Sequence, residues 1–225
     1  MSFYDNLRGV IFDFNGTLFF DTPKHERAWR EYAMRLCGRE VSEEEFSRYI
    51  HGRTNAEILK YFVGNEISPE EISRHSEDKE ALYRELCLAD KASFHLARGA
   101  EEFLNELKAR GIPMAVATSS GKTNSDFYME QFCLNRWFDE NTFVYNDGSF
   151  RSKPHPDIYL QAAEAIGIAP CGCAVFEDMP SGIESARAAG AGRIIAVASS
   201  LSREFLAKFE GVDDVIGDYT EMSSR

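Results

Sequence analysis

The apolar and polar positions near the start of the chain predict a buried strand that ends in polar groups. The run Val10-Ile11-Phe12 is followed directly by Asp13, Asn15 and Thr17. Such a run is typical of a parallel strand that delivers side chains to the carboxyl edge of a sheet, where open α/β folds bind ligands. Gly16 would let the backbone turn tightly and approach a ligand. A core strand followed by an ordinary Asn-Gly turn is the alternative.

From residue 21 to residue 92 the apolar positions recur with helical spacing and without strand-like alternation. The sequence predicts that Thr22, which is followed by a proline, is the N-cap of the first helix. Two more helices are predicted to begin after Ser42 and Ser68, because each serine has a glutamate three residues later, as in a capping box. We therefore predict a helical domain inserted at 21–92.

The remainder alternates between short apolar strands and amphipathic helices. The predicted strands cover 112–117, 142–145, 173–176, 193–198 and 214–216. The predicted helices cover 98–110, 124–133, 156–166 and 180–189. Strands that alternate with helices predict a parallel sheet with helices on both faces. The predicted fold is therefore α/β: a Rossmann-like parallel-sheet core over 1–20 and 93–225, with an α-helical cap domain inserted at 21–92.

The amino-acid composition limits the kinds of molecule that this protein is expected to bind. The 225 residues are 44% hydrophobic, which suits a globular protein with a sizeable core. The 25 basic and 37 acidic residues give a net charge of −12, so the surface should repel nucleic acid and anionic membranes. The N-terminus lacks the pattern of a signal peptide. Five scattered cysteines predict reduced, buried thiols. We expect a cytoplasmic monomer.

Polar groups follow three of the predicted strands. Asp13 follows the first, Thr118-Ser119 a second, and Glu177-Asp178 a later one. A parallel sheet would bring the three carboxylates to one edge, where a divalent cation would offset their repulsion; oxygen ligands favour magnesium. Lys153 is a candidate cation at the same edge. Carboxylate, metal, hydroxyl and ammonium together suit phosphoryl transfer.

Four segments resemble, in order, the four motifs of the haloacid dehalogenase superfamily. They are Asp13-Phe14-Asn15-Gly16-Thr17, Thr118-Ser119, Lys153-Pro154 and Glu177-Asp178. The flanking sequences 152–159 and 177–183 are similar to those of the branch with a helical cap after the first motif, the β-phosphoglucomutase and phosphoglycolate phosphatase type. The resemblance covers essentially the whole chain.

The resemblance implies a phosphatase of small phosphorylated metabolites that works through an aspartyl-phosphate. Asp13 would be the nucleophile. Thr118 and the backbone at Ser119 would hold the transferring phosphoryl group, and Lys153 would orient Asp13 and neutralise charge.

The resemblance also implies a Mg²⁺ ion. Its ligands would be Asp13, Asp178 and the backbone carbonyl of Asn15, with Glu177 beside them or acting through water. The family's general acid–base residue is an aspartate at position 15. An amide cannot exchange a proton at neutral pH, so help worth about 10²–10⁴-fold would be lost.

In this branch the cap domain determines substrate specificity. The candidate residues for substrate contact in the cap are His25 and Arg53. Arg53 follows Gly52 in a predicted turn and could reach a second anionic group, although an exposed arginine at a helix start needs no function.

Mutases of this branch carry an arginine where Asn55 stands, and they need the aspartate that Asn15 replaces. A phosphometabolite-binding protein with weakened turnover is the main alternative to a phosphatase, and a sugar phosphomutase is a more distant one.

Overall fold

The chain folds into two compact units. The computed structural model describes residues 3–51 and 53–224. One unit comprises Met1–Phe20 and His95–Arg225, and the other comprises Asp21–Phe94. The sequence predicts 92 as the end of the inserted segment, against 94 in the structure. The roles of the two units as catalytic core and cap stay predictions.

The first unit contains a six-stranded sheet in the order β3-β2-β1-β4-β5-β6. Its strands are β1 (Gly9–Phe12), β2 (Met114–Thr118), β3 (Phe143–Tyr145), β4 (Cys173–Glu177), β5 (Arg193–Val197) and β6 (Asp214–Ile216). Every neighbouring pair is parallel. The predicted strands are thus present, and they form a Rossmann-like parallel sheet.

Helices cover both faces of this sheet. They are α5 (Ala100–Ala109), α6 (Lys122–Gln131), α7 (Asp157–Ala165), α8 (Pro180–Ala188) and α9 (Arg203–Leu206). Successive strand residues point to opposite faces. Ile11 packs in a core cluster with Ile158 of α7 and Ile183 of α8. The ring of its neighbour Phe12 packs against Phe103 of α5, with centroids 6.2 Å apart.

The second unit is helical, as the spacing predicts. Its helices are α1 (Thr22–Cys37), α2 (Glu43–Tyr49), α3 (Asn55–Val63) and α4 (Pro69–Ala89). Ser42 and Ser68 cap α2 and α4 through their side chains. Thr22 is not the N-cap of α1, as predicted, but its first residue, and the cap position belongs to Asp21. The Asp21 carboxylate makes no cap hydrogen bond because it accepts one from the Tyr83 hydroxyl instead.

Two features bear on the predictions from composition. Within the described part of the chain, no helix combines the length and the apolar character needed to cross a membrane. All five cysteines are free thiols, but only Cys87 and Cys173 are buried; Cys37, Cys133 and Cys171 are exposed. The prediction of buried thiols is therefore wrong for three of the five. These three lie on solvent-facing positions that the sequence pattern did not distinguish.

This distribution of thiols is testable. Burial raises the pKa of Cys87 to about 12 and that of Cys173 to about 11, so both resist a thiolate-directed reagent. We expect iodoacetamide to label Cys37, Cys133 and Cys171 in the folded protein, and all five cysteines after unfolding in urea. Peptide mapping by mass spectrometry reads out each site. Rapid labelling of Cys87 in the folded protein would contradict the packing of α4.

Candidate active site

The carboxyl ends of β1, β2 and β4 lie side by side, because β1 pairs with both of the others. β1 ends at Phe12, whose register partners are Val116 and Phe176. The next residue, Asp13, donates its backbone N–H to the Phe176 carbonyl at 3.0 Å. This bond fixes Asp13 at the sheet edge, where the residue is only 7% exposed.

Lys153, in the loop before α7, bridges two of the carboxylates. Its Nζ donates to Asp13 Oδ1 and to Glu177 Oε1, both at 2.6 Å, and to the Ala117 carbonyl at 3.2 Å. An ammonium has three N–H donors, so these contacts use all of them. Nζ also lies 4.9 Å from the centroid of the Tyr159 ring. The cation is therefore fixed in one position beside Asp13.

Glu177 supports this lysine. Its Oε1 accepts from Lys153 and from the Tyr159 hydroxyl at 2.8 Å, and its Oε2 accepts from the backbone N–H groups of the next two residues at 2.9 and 3.0 Å. Gly182 makes room for it, since a Cβ there would lie 1.6 Å from Oε1. A carboxylate has about four acceptor positions, and these bonds occupy four. These contacts let Glu177 support Lys153, and its role as a metal ligand stays a prediction.

Asp178 completes the carboxylate cluster. It is 3% exposed, and its Oδ1 accepts from Thr17 Oγ1 at 3.3 Å. Gly16 packs directly against it: a Cβ on Gly16 would lie 2.1 Å from Asp178 Oδ2, and the glycine has φ +75°. Each of Asp13, Glu177 and Asp178 has a carboxylate oxygen within 4.8 Å of the other two.

This crowding shifts the titration of the cluster. The pKa of Asp13 is raised to about 7, because burial and the charge on Glu177 raise it more than the Lys153 ammonium lowers it. Burial acts to lower the pKa of Lys153, but Asp13 and Glu177 outweigh it and hold that pKa above its usual range. Lys153 therefore stays charged, while Asp13 needs positive charge in addition to that of Lys153 to be fully ionised at neutral pH.

The cluster fits a divalent cation. Three buried carboxylates against one ammonium leave two negative charges, and oxygen donors of this kind suit Mg²⁺. Asp13, Glu177 and Asp178 each offer one carboxylate oxygen to such an ion.

Asn15 is held in a pocket of hydroxyl groups beside this cluster. Its Oδ1 accepts from Ser120 Oγ at 2.9 Å and from Thr118 Oγ1 at 3.3 Å. Its Nδ2 donates to the Tyr128 hydroxyl at 2.9 Å. Tyr128, on α6, is fully buried and stacks on Phe14 with centroids 4.5 Å apart. The side chain at position 15 is therefore fixed by three different residues.

Thr118 and Ser119 end β2 at the same edge. Thr118 is 1% exposed, and its Oγ1 also accepts from the Ser120 backbone N–H at 3.1 Å. Ser119 is exposed, between these two bonded residues. Of the predicted site residues, the structure thus brings together Asp13, Asn15, Thr118, Ser119, Lys153, Glu177 and Asp178 in one unit.

His25 belongs to the second unit, on α1. Its ring stacks on Tyr83 with centroids 3.9 Å apart, and its Nε2 lies 3.3 Å from the Asp21 carboxylate. Its Nδ1 lies 3.4 Å from Nζ of Lys79, which is 1% exposed and forms an ion pair with Glu80. Burial lowers the pKa of Lys79, although Glu80 opposes the shift. His25 is therefore part of a polar cluster within its own unit.

Arg53 lies just before α3 and is exposed. Its guanidinium is 4.0 Å from the Glu57 carboxylate, which also closes the capping box of that helix. Asn55, the first residue of α3, donates to Glu80 at 2.9 Å, so its amide ties α3 to α4. Gly52, to which the predicted turn was assigned, lies outside the described residues. Contact of His25 and Arg53 with a substrate stays a prediction.

Three residues that hold the site together lie outside the motif residues predicted from the sequence. Ser120 and Tyr128 hold Asn15, and Tyr159 holds Glu177. Ser120 directly follows Thr118-Ser119, and Tyr159 ends the segment 152–159, so proximity to a motif could have indicated both. Tyr128 lies in the middle of a helix, and nothing in the sequence distinguishes it from a core tyrosine.

Residues 7–190 match the family model described as haloacid dehalogenase-like hydrolase. The chain belongs to this family.

Among characterised relatives, hexitol phosphatase A of Escherichia coli K12 is 32% identical over 192 residues, covering 84% of this chain and 82% of the relative. A phosphorylated carbohydrates phosphatase of Thermotoga maritima is 30% identical over 200 residues, covering 87% and 88%. Among solved structures, a family IA, variant 3 hydrolase of Entamoeba histolytica superposes with a TM-score of 0.91 at 39% identity, covering 96% of this chain and 95% of that one. The similarity therefore spans both units.

The buried position of Lys153 makes a prediction about stability. Lys153→Met would leave the Asp13 and Glu177 carboxylates without their cation. Removing one partner of a buried ion pair costs about 3–5 kcal/mol. We expect a loss of that size in the free energy of unfolding, measured in urea with a metal chelator present.

Lys122→Met is the matched control. Lys122 contacts both carboxylate oxygens of Asp126 at 2.7 Å, but its side chain is 65% exposed. An exposed pair contributes little, so this variant should unfold like the wild type. Equal effects of the two substitutions would contradict the structural role of Lys153.

Proposed function

We propose that this chain is a Mg²⁺-dependent phosphatase of small phosphorylated metabolites, and that it works through an aspartyl-phosphate on Asp13. One observation carries the proposal: the buried Asp13 carboxylate lies against Lys153 and within reach of Asp178 at the edge of the sheet. The free thiols favour a reducing, cytoplasmic setting.

The reaction has two displacement steps. An oxygen of the Asp13 carboxylate attacks phosphorus and forms the aspartyl-phosphate, while the bond from phosphorus to the leaving oxygen breaks and that oxygen takes up a proton from solvent. Water then attacks phosphorus and loses a proton to solvent, the bond to Asp13 breaks, and inorganic phosphate leaves. Asp13 is regenerated, so the net change is hydrolysis of one phosphate ester.

The surrounding residues position groups and balance charge. Lys153 holds Asp13 and neutralises negative charge on the transferring phosphoryl group, and Glu177, itself held by Tyr159, keeps the lysine in place. Thr118 and the backbone at Ser119 would contact the phosphoryl oxygens. Such positioning and charge neutralisation supply most of the catalysis in phosphoryl transfer.

Asp13, Asp178 and the backbone carbonyl of Asn15 would hold the Mg²⁺ ion. When bound, the ion neutralises charge on the phosphoryl oxygens and lets the Asp13 carboxylate remain ionised.

Asn15 sets the limit on turnover. Its amide can accept or donate a hydrogen bond but cannot pass a proton to the leaving oxygen. Hydrolysis by this chain should therefore be slow unless the leaving group departs without a general acid.

The substrate class that we propose is phosphorylated carbohydrates. Two relatives that match the chain over most of its length are named phosphatases of a hexitol and of phosphorylated carbohydrates. Contact of such substrates with His25 and Arg53 is part of this proposal.

Phosphate release is the test. We expect wild-type protein to release phosphate from a panel of sugar phosphates slowly and only with Mg²⁺. Asn15→Asp should raise the rate by about 10²–10⁴-fold, because it restores the general acid. Asp13→Asn, alone and combined with Asn15→Asp, is the matched control and should release nothing.

The alternative is a protein that binds phosphometabolites without turning them over. It predicts Mg²⁺-dependent binding by calorimetry with no phosphate release, even by Asn15→Asp. That combination would contradict the phosphatase proposal, whereas release by Asn15→Asp that disappears with Asp13→Asn would support it.

A further inference from the structure

Asn15 is followed by glycine, and this is the only Asn-Gly pair in the sequence. A glycine has no side chain to shield its backbone nitrogen, so that nitrogen can attack the side-chain amide carbon of a preceding asparagine. The site itself requires the glycine, because Gly16 has φ +75° and any Cβ would collide with Asp178. The carboxylate cluster therefore maintains a chemically labile pair at the position of the missing acid.

We propose that Asn15 is a deamidation site, and that its conversion to aspartate turns a slow form of the protein into a fast one. The second part rests on the proposed phosphatase function. The chemistry needs only water. The Gly16 nitrogen forms a bond to Asn15 Cγ, the bond from Cγ to Nδ2 breaks, and ammonia leaves. Water then opens the cyclic imide, giving either aspartate or its isomer with the backbone routed through the side chain.

The pocket around position 15 suits the product. Asn15 contacts three hydroxyl groups, those of Thr118, Ser120 and Tyr128. Thr118 and Ser120 already donate to Oδ1. The Tyr128 hydroxyl accepts from Nδ2, but a phenol hydroxyl can also donate, so it can reverse its role and bind a carboxylate oxygen. Aspartate at this position could therefore accept a hydrogen bond from each of these three hydroxyl groups.

The same contacts slow the reaction. Gly16 N–H donates to the Phe19 carbonyl at 2.7 Å, and the hydroxyls of Ser120 and Tyr128 each hold the Asn15 amide at 2.9 Å. Cyclisation requires the Gly16 nitrogen to leave the Phe19 carbonyl and the Asn15 amide to leave its hydroxyl partners. The rate is thus set by local opening of this loop, which each hydrogen bond opposes. Conversion of the folded protein should be slow and sensitive to each contact.

Peptide mapping tests the chemical step. We expect wild-type protein, incubated at physiological temperature, to accumulate aspartate and its isomer at position 15 while Asn124-Ser125 in the same digest stays intact. One intramolecular hydrogen bond contributes about 0.5–1.5 kcal/mol, so Tyr128→Phe and Ser120→Ala should each speed conversion by about 2- to 10-fold. Asn15→Gln, whose cyclisation needs a larger ring, is the matched control.

The urea-unfolded chain gives the upper limit of the rate. If position 15 stays an amide in the wild type, Tyr128→Phe and Ser120→Ala over a time that converts the unfolded chain completely, the proposal is wrong. Equal rates in the wild type and both variants would also overturn it, because the hydroxyl contacts would then not control the reaction.

Activity tests the functional step separately. Phosphate release by aged wild-type protein should rise in proportion to the fraction of aspartate at position 15. The rate of phosphate release by the Asn15→Gln protein should be the same before and after ageing. If aged protein gains no activity although purified Asn15→Asp is active, the proposed activation is wrong and the phosphatase function stands. If Asn15→Asp is itself inactive, the phosphatase function fails, while the mass measurement still decides whether position 15 deamidates.

Discussion

Lys153 makes it possible for this fold to bury three carboxylates within a few ångströms of one another. Its ammonium contacts Asp13 and Glu177 at equal distance, and the ring and hydroxyl of Tyr159 hold the same ion pair from a third side. An unpaired carboxylate at this depth would take up a proton and lose its nucleophilic form. One cation does not balance three anions, so the cluster keeps a capacity for a divalent ion. Structural stability and proposed chemistry therefore depend on the same ion pairs.

The backbone around this cluster is constrained by the space that the carboxylates need. Gly16 lies in the connection after β1 and Gly182 lies in the first turn of α8, yet each is required because a carboxylate occupies the volume of its missing Cβ. At Gly16 the constraint has a chemical cost, since it follows Asn15. The contacts of Asn15 with neighbouring hydroxyls then determine both how the amide is oriented and how readily it reacts.

Much of this arrangement could be predicted from the sequence. The parallel sheet has one carboxyl edge, so polar groups at the ends of β1, β2 and β4 had to meet there, and Asp13, Thr118 and Asp178 do. The contacts of Glu177 could not be predicted, because they depend on Tyr159 and on backbone N–H groups whose directions are set by tertiary packing. Tyr128 was missed for the same reason. The prediction of Thr22 as the N-cap of α1 is wrong because Asp21 holds that position. The Asp21 carboxylate accepts a hydrogen bond from Tyr83, a residue far away in the sequence, so the usual cap hydrogen bond does not mark the position.

A crystal structure of the Asn15→Asp protein with Mg²⁺ and a trifluoroberyllate mimic of the phosphoryl group would decide whether these residues act as one site. We expect the mimic bonded to the Asp13 carboxylate, with Asp13 and Asp178 on the same Mg²⁺ ion. Lys153 should stay between Asp13 and Glu177, and Glu177 should keep its four hydrogen bonds without touching the metal. An ion held by Glu177 in place of Asp178, or a phosphoryl mimic away from Asp13, would contradict the roles assigned here.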